Sequence, residues 1–200
     1  MNRYTIAPVS GAIHWDSVQW LTLENYMWGT ETDITMAAQL CYSDAGIHVH
    51  LKAKEAHIRA EEPIPYGVAC QDSCMEFFFR PDEQDGRYFN IEVGAGGCVH
   101  IGLGHYRHDS VRLIPRKDQA MKDMQINRTE DGWEVFYTFS TDFIRVFFPG
   151  YQLLPGRKIA ANLYKCGGLT VKKHYIVWNF IGTEKPDYHQ PDYFGEMILG

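Results

Sequence analysis

No stretch of this 200-residue chain approaches the roughly 20 consecutive apolar residues of a membrane-spanning helix. The first residues, MNRYTIAPVSG, contain no apolar signal core, so a cytoplasmic, non-membrane protein is expected. Dense basic pairs occur only at Arg116-Lys117 and Lys172-Lys173, and the formal net charge is −6. Nucleic acid is therefore not an expected partner, because phosphate neutralisation needs clustered cations. Phosphate loops are missing too. GAGG at 94–97 is followed neither by Lys-Ser/Thr nor by a helical pattern, and reads as a turn. The five cysteines (41, 70, 74, 98 and 166) are too few and too odd in number for a disulfide scaffold. Cys70 and Cys74 do not have zinc-ribbon spacing. All five are expected to be reduced, with Cys74 the one placed to reach a site, and neither cofactor nor metal is expected.

What the chain has is aromatic residues, 14% of the total, and alternation. The run QDSCMEFFFRP (71–81) places Met75, Phe77 and Phe79 on one face of a strand, and Asp72, Cys74, Glu76 and Phe78 on the other. In YFNIEV (88–93), Phe89, Ile91 and Val93 oppose Tyr88, Asn90 and Glu92. Paired as a hairpin around PDEQDGR, the two runs stack an apolar core face. They leave carboxylates, an amide and rings on the opposite face, the candidate binding surface.

The same pattern recurs along the chain. Strands are expected at 32–42 and 47–53 around the turn Ser43-Asp44-Ala45-Gly46, and at 98–103. Further strands are expected at 125–128 and 133–140 around TEDG, then at 158–166, 175–180 and 194–199. Residues 1–30 read as an edge strand with irregular covering segments, and 105–124 as a polar excursion. A single short helix is expected at 141–148, capped by Ser140 or Thr141 and stopped by Pro149-Gly150. About ten short strands without strand–helix alternation imply one all-β domain over 1–200, an antiparallel β-sandwich or jelly roll. His48 and His50 share a strand face without a nearby third ligand, so a solvated face is expected. Asp72 reads as an acceptor for backbone N–H groups.

Six segments in one order, DSCMEFFFRP, YFNIEV, GWEVFYTF, ANLYKCG, HYIVWNFIGT and HQPDYFGEMIL, resemble the carbohydrate-binding family 9-like domains. The resemblance runs from about residue 14 to the C-terminus. It implies a jelly-roll sandwich and recognition of a mono- or oligosaccharide. By position it implies that Trp178 stacks on a sugar ring and that Glu76 accepts hydroxyls. Asn90 falls where related modules carry a basic side chain, and a second stacking tryptophan would fall near Cys70. Trp28, Tyr66 and Tyr164 are stand-ins for that missing ring. No oxygen-ligand cluster matches the calcium sites of some relatives. Asn162 and Tyr164 share a strand face, with Lys165 opposite, and could line the site, as could His174.

Three functions are weighed. A non-catalytic receptor needs an aromatic platform and charge-assisted hydrogen bonds from Glu76 and Asn90. A glycoside hydrolase needs two carboxyl groups roughly 5–5.5 Å apart for retention, or about 6.5–9.5 Å for inversion. Asp72 and Glu76 would lie about 13 Å apart along a strand, which leaves a cross-strand pair such as Glu76 with Glu92. Haem ligation by Met75 and His174 conflicts with the core face expected for Met75. The receptor is the favoured reading.

Overall fold

Alternating apolar residues become fourteen strands in a computed structural model, which describes residues 1–65 and 67–200. In chain order they are β1 (Arg3–Pro8), β2 (Leu21–Thr22), β3 (Asn25–Tyr26), β4 (Thr35–Ser43) and β5 (Gly46–Lys54). There follow β6 (Cys74–Arg80), β7 (Tyr88–Gly94), β8 (Val99–Gly104), β9 (Val111–Leu113), β10 (Met121–Arg128) and β11 (Gly132–Ser140). The helix α1 (Thr141–Phe147) precedes β12 (Lys158–Gly167), β13 (His174–Val177) and β14 (Gly195–Leu199). No helix among the described residues is long and apolar enough to cross a membrane. Neither Ser140 nor Thr141 caps α1 through its side chain. The helix is held instead by its apolar face, where Phe143 packs on Phe89 and Phe139.

The strands run β10-β11-β5-β4-β1-β14-β12-β6-β7-β8-β9, with β2 beside β4, β13 beside β12 and β3 beside β13. This mixed sheet curls back over one core. Phe79 and Phe89 of one half meet the ring of Phe139 in the other, at centroid distances of 5.6 and 5.2 Å. The antiparallel expectation needs one correction. β1 is no edge strand: it pairs in parallel with β14 through Arg3 to Ile6, then with β4 through Ala7 and Pro8. Parallel partners are joined by long connections rather than hairpins. No local turn signal therefore announces the two contacts that make one sheet of two halves.

The face assignments on β6 and β7 follow from alternation as expected. Met75, Phe77, Phe79, Phe89, Ile91 and Val93 enter the main core. Cys74, Phe78 and Tyr88 join a second apolar cluster on the outer face, with Tyr164, Cys166 and Val177. The register puts Glu76 directly between Tyr164 of β12 and Glu92 of β7.

On the inner face of β12 stands a buried charge. The Lys165 ammonium lies 3.1 Å from Glu55 and 2.8 Å from His174 Nε2, and donates to the Cys166 carbonyl at 3.0 Å. Glu55 also accepts from the Ser73 hydroxyl at 2.7 Å and the Trp133 indole at 3.1 Å. The pair ties β12 to the chain after β5. His48 and His50 also differ from expectation, since both are buried. Residues 15–20 fold over His50, while His48 is bonded to Ser43 and Thr138. The His50 ring stacks on Phe136 at 3.9 Å and contacts Trp15 and Trp20, while its Nδ1 shares a 2.8 Å hydrogen bond with Gln39. Burial pulls both histidine pKa values below their ordinary level.

Removing one partner of a buried ion pair leaves an uncompensated charge. Lys165→Met should lower unfolding free energy by about 3–5 kcal/mol in denaturant titrations. The double variant Lys165→Met/Glu55→Gln should recover part of that loss. An unchanged midpoint in Lys165→Met would show that the pair does not hold β12.

Candidate functional site

The outer face of β6, β7 and β12 forms the floor of a hollow of about 250 Å³. Glu76, Glu92 and Cys166 line it from the strands; all three alternate with core residues, so strand geometry aims them outward together. Burial first, and the facing Glu92 second, push the Glu76 carboxyl well above the usual range; the Cys166 thiol, Arg107 and Lys165 counter this only in part. Burial likewise raises Glu92 to about 7, against the Asn90 amide and the guanidinium groups of Arg107 and Arg112. Two facing carboxyl groups in a desolvated floor favour holding a proton between them.

One wall is aromatic. Met27 donates its N–H to the Tyr175 carbonyl, and the turn that follows lifts Trp28 over β13. Trp28 has φ of 51° and Gly29 has φ of 76°. A bulky side chain in this left-handed region is strained, so tertiary contacts must hold it. They do: the indole N–H donates to the Thr183 carbonyl at 2.8 Å, and the ring meets Tyr175 and Tyr188 at 5.5 and 5.7 Å. Tyr188 stacks in turn on Tyr164 at 4.2 Å.

The other wall is polar. Arg107 grips Asp187 through two donors at 3.0 and 2.6 Å. Burial raises Asp187, but Arg107, Gln190 and the His189 N–H outweigh it and hold the carboxyl below its ordinary value. His189 shares a 2.7 Å hydrogen bond with the Tyr88 hydroxyl. Cys70, Gln71, Gly168 and Pro186 complete the lining. The hollow thus offers ring faces, acceptors and a guanidinium around one small volume, the features that fix a polar ligand with apolar edges.

Of the residues singled out in the sequence, Glu76 lines this hollow, at only 2% exposure, and so does the stand-in Trp28. Asn90 does not line it. The amide donates to Glu92 at 2.9 Å and lies so close to Gly102 that any β-carbon there would collide with it. Its contribution is to orient Glu92. Tyr164 is buried behind Tyr188, to whose carbonyl it donates at 3.1 Å. Asn162 is committed to the backbone of Asn179. His174 is held by Lys165 and by the Lys172 carbonyl, on the core side. Trp178 is corrected most sharply. Its ring is 4% exposed, belongs to the main core, and packs where a side chain on Gly195 would collide. Tyr66 lies outside the described residues. Asp72 accepts from the N–H groups of Glu61 and Glu62 at 3.0 and 2.9 Å, as expected, and pairs with Arg59.

Alternation contained the missing signal. His174 and Ile176 share one face of β13, and Trp178 follows directly past its end; Lys165 registers opposite Ile176, and Met75 opposite Lys165, so that face is the core. Tyr175, between them, is the residue that looks outward. Arg107, Asp187, Tyr188 and His189 come from loops, where no periodicity marks them.

A larger hollow of about 320 Å³ lies by β8–β10, but Val99, Ile101, Leu113 and Met121 on its wall belong to or pack on the main core. It is an open margin of that core without converging acids.

The model of the carbohydrate-binding family 9 matches residues 8–199. A candidate carbohydrate-binding protein from Bacteroides uniformis has the same fold, with a TM-score of 0.85 at 22% identity over 99% of both chains. A family 9 module from Caldicellulosiruptor kristjanssonii in complex with cellotriose aligns with a TM-score of 0.70 at 13% identity, over 99% of this chain and 93% of the module. A glucose complex from the same organism aligns at 0.66 and 13%, over 100% of this chain and 96% of its own. No curated protein sequence matches at a significant level.

His189 gives this site a pH signature. Burial and the nearby Arg107 lower its pKa from 6.5 to about 4; Asp187 opposes them, while His100 and His108 add to them. The fold accepts the neutral ring, so its stabilisation is complete above pH 6.5 and is lost as pH falls toward about 4. Measured against His189→Gln, the wild-type melting temperature should drop across that interval. Parallel curves for the two proteins would show that the ring is not desolvated.

Proposed function

The chain belongs to carbohydrate-binding family 9, and from that membership we propose that it binds a mono- or oligosaccharide, without catalysis, in the hollow over β6, β7 and β12. The observation that carries this reading is the juxtaposition of the Trp28–Tyr175–Tyr188 wall with Glu76, Glu92 and Arg107 in one cavity. A pyranose ring rests its C–H face on an indole or phenol. Its hydroxyls both donate and accept, and the hollow supplies carboxyl acceptors on one side and a guanidinium donor on the other. Trp28 takes the platform role that the resemblance implied for Trp178. Asn90 acts on the sugar through Glu92. The modules of similar fold that hold cellotriose and glucose make glucose and short cello-oligosaccharides the first ligands to test. The jelly-roll sandwich that the resemblance implies remains our reading of the curled sheet.

The register favours one second reading. Glu76 and Glu92 face each other across adjacent strands, and neighbouring β-carbons at such positions lie about 4.5–5.5 Å apart. That is close enough for a retaining hydrolase. Both groups, however, rise from one floor and are held there by Cys166 and Asn90. A hydrolase places its two carboxyl groups on either side of the scissile bond. A sugar lying on this floor meets both from the same side.

Calorimetry with glucose and cellotriose tests the proposal. Trp28→Ala should weaken binding by about 1–2 kcal/mol through lost stacking and apolar contact. Glu76→Gln should weaken it by about 0.5–1.5 kcal/mol, the net range for a hydrogen bond between neutral groups, since this carboxyl shares a held proton with Glu92. Trp178→Phe should lower the melting temperature while leaving affinity unchanged. Wild-type affinity in Trp28→Ala would reject this hollow, and new reducing ends after incubation would establish the hydrolase.

A further inference from the structure

Three ligating atoms meet at one point of the floor. Cys74 and Cys166 stand directly opposite each other on β6 and β12, and Glu76 follows Cys74 on the same outward face. Their two sulfur atoms and one carboxylate oxygen all lie within 4.8 Å of one another. The Cys166 thiol already donates to Glu76 Oε1 at 3.0 Å. In a tetrahedral zinc site, with bonds of about 2.3 Å to sulfur and about 2.1 Å to oxygen, neighbouring ligand atoms are about 3.6–3.8 Å apart. One separation in this cluster is 3.0 Å and none exceeds 4.8 Å, so small rotations about side-chain bonds bring all three into bonding geometry.

We propose that Cys74, Cys166 and Glu76 form a binding site for a thiophilic divalent cation of the zinc type, set into the floor of the hollow. Two sulfur donors select zinc-like ions over calcium or magnesium, which take oxygen ligands. Cys166 and Glu76 line the cavity and give the ion a way in, while Cys74 is the buried third ligand. Three protein ligands leave the fourth position facing the hollow, the arrangement of an exchangeable rather than a closed structural site. Two thiolates and a carboxylate carry three negative charges against the cation's two. Arg107, which lines the same hollow and acts on Glu76, offsets part of the remaining charge. Without the ion, both thiols are protonated: burial pushes Cys74 up to about 12, and the Cys74 thiol beside it, then burial, raise Cys166. Each thiol gives its proton to solvent as its metal–sulfur bond forms, and the proton shared by Glu76 and Glu92 leaves with them or stays on Glu92 as Glu76 ligates, so affinity rises with pH. The site shares Glu76 with the proposed sugar receptor but requires no sugar. Its ion would compete with a sugar for that carboxylate.

Cobalt(II) is the probe, titrated into the reduced protein without sugar. A near-ultraviolet thiolate-to-cobalt band should grow to one equivalent, release protons, and vanish when Zn²⁺ is added. Cys74→Ser and Cys166→Ser should each weaken Co²⁺ binding at least about 100-fold, because losing an outer hydrogen-bond partner of a ligand already costs roughly 10–100-fold. Cys41→Ser, on β4, should bind as wild type. In the unmodified chain, Zn²⁺ should protect Cys74 and Cys166 from alkylation, read by mass spectrometry, which does not depend on any variant folding. Trp28→Ala should keep the cobalt band even where it loses sugar, so the two readings fail separately. A cobalt spectrum without the sulfur band, wild-type Co²⁺ affinity in either serine variant, or alkylation unaffected by Zn²⁺ would each overturn the proposal. So would a Cys74–Cys166 disulfide formed on mild oxidation of a chain that, when reduced, shows no band.

Discussion

The pairing of β6 with β12 on one side and β7 on the other is the constraint on which everything else rests. In that register Met75 faces Lys165 and Val93, on the core side, while Glu76 faces Tyr164 and Glu92, on the hollow side. A slip of one residue would exchange the two sets. Phenylalanines 77 and 79 would then meet water, and the carboxyl groups would enter the core. The size of that penalty is what fixes Glu76, Glu92 and Cys166 beside one another, and it comes from apolar burial rather than from any attraction among the three.

Desolvation then determines their chemistry. A floor this well covered raises both carboxyl groups, so a proton is held where two charges would otherwise repel. The polar wall responds oppositely: Arg107 keeps Asp187 ionised and helps keep His189 neutral. One cavity therefore contains an ionised acid paired with a guanidinium and, across from it, two acids that ionise with difficulty. A ligand rich in hydroxyls suits such a place, because each hydroxyl can serve as donor or acceptor as each wall requires. A thiophilic cation suits its deeper part, where it removes the protons that burial retains.

Much of the fold was legible in the chain. The alternation in DSCMEFFFRP and YFNIEV assigned each residue its face, the turn chemistry of SDAG and TEDG located two hairpins, and the short helix fell at residues 141–147. Membership in the family was legible in six ordered segments. The candidate site was less so. Trp178 was attractive because an indole in a sugar-binding family suggests stacking, but its face is shared with Ile176 and opposes Lys165 and Met75 across the sheet. His50 looked solvated because the segment that covers it, around Trp15 and Trp20, is irregular and has no periodicity to place it.

From its residues alone this chain determined local matters: which segments extend, which side of each strand is greasy, and where turns fall. Tertiary structure decided the rest, since only folding brings together segments far apart in sequence. It put β1 between two parallel neighbours, carried Trp28 and the 186–189 loop over the outer face, and opposed Glu76 to Glu92 and Cys74 to Cys166. Alternation says that two faces exist. Which of them closes on the core and which opens on a cavity depends on what the other strands and loops bring to it.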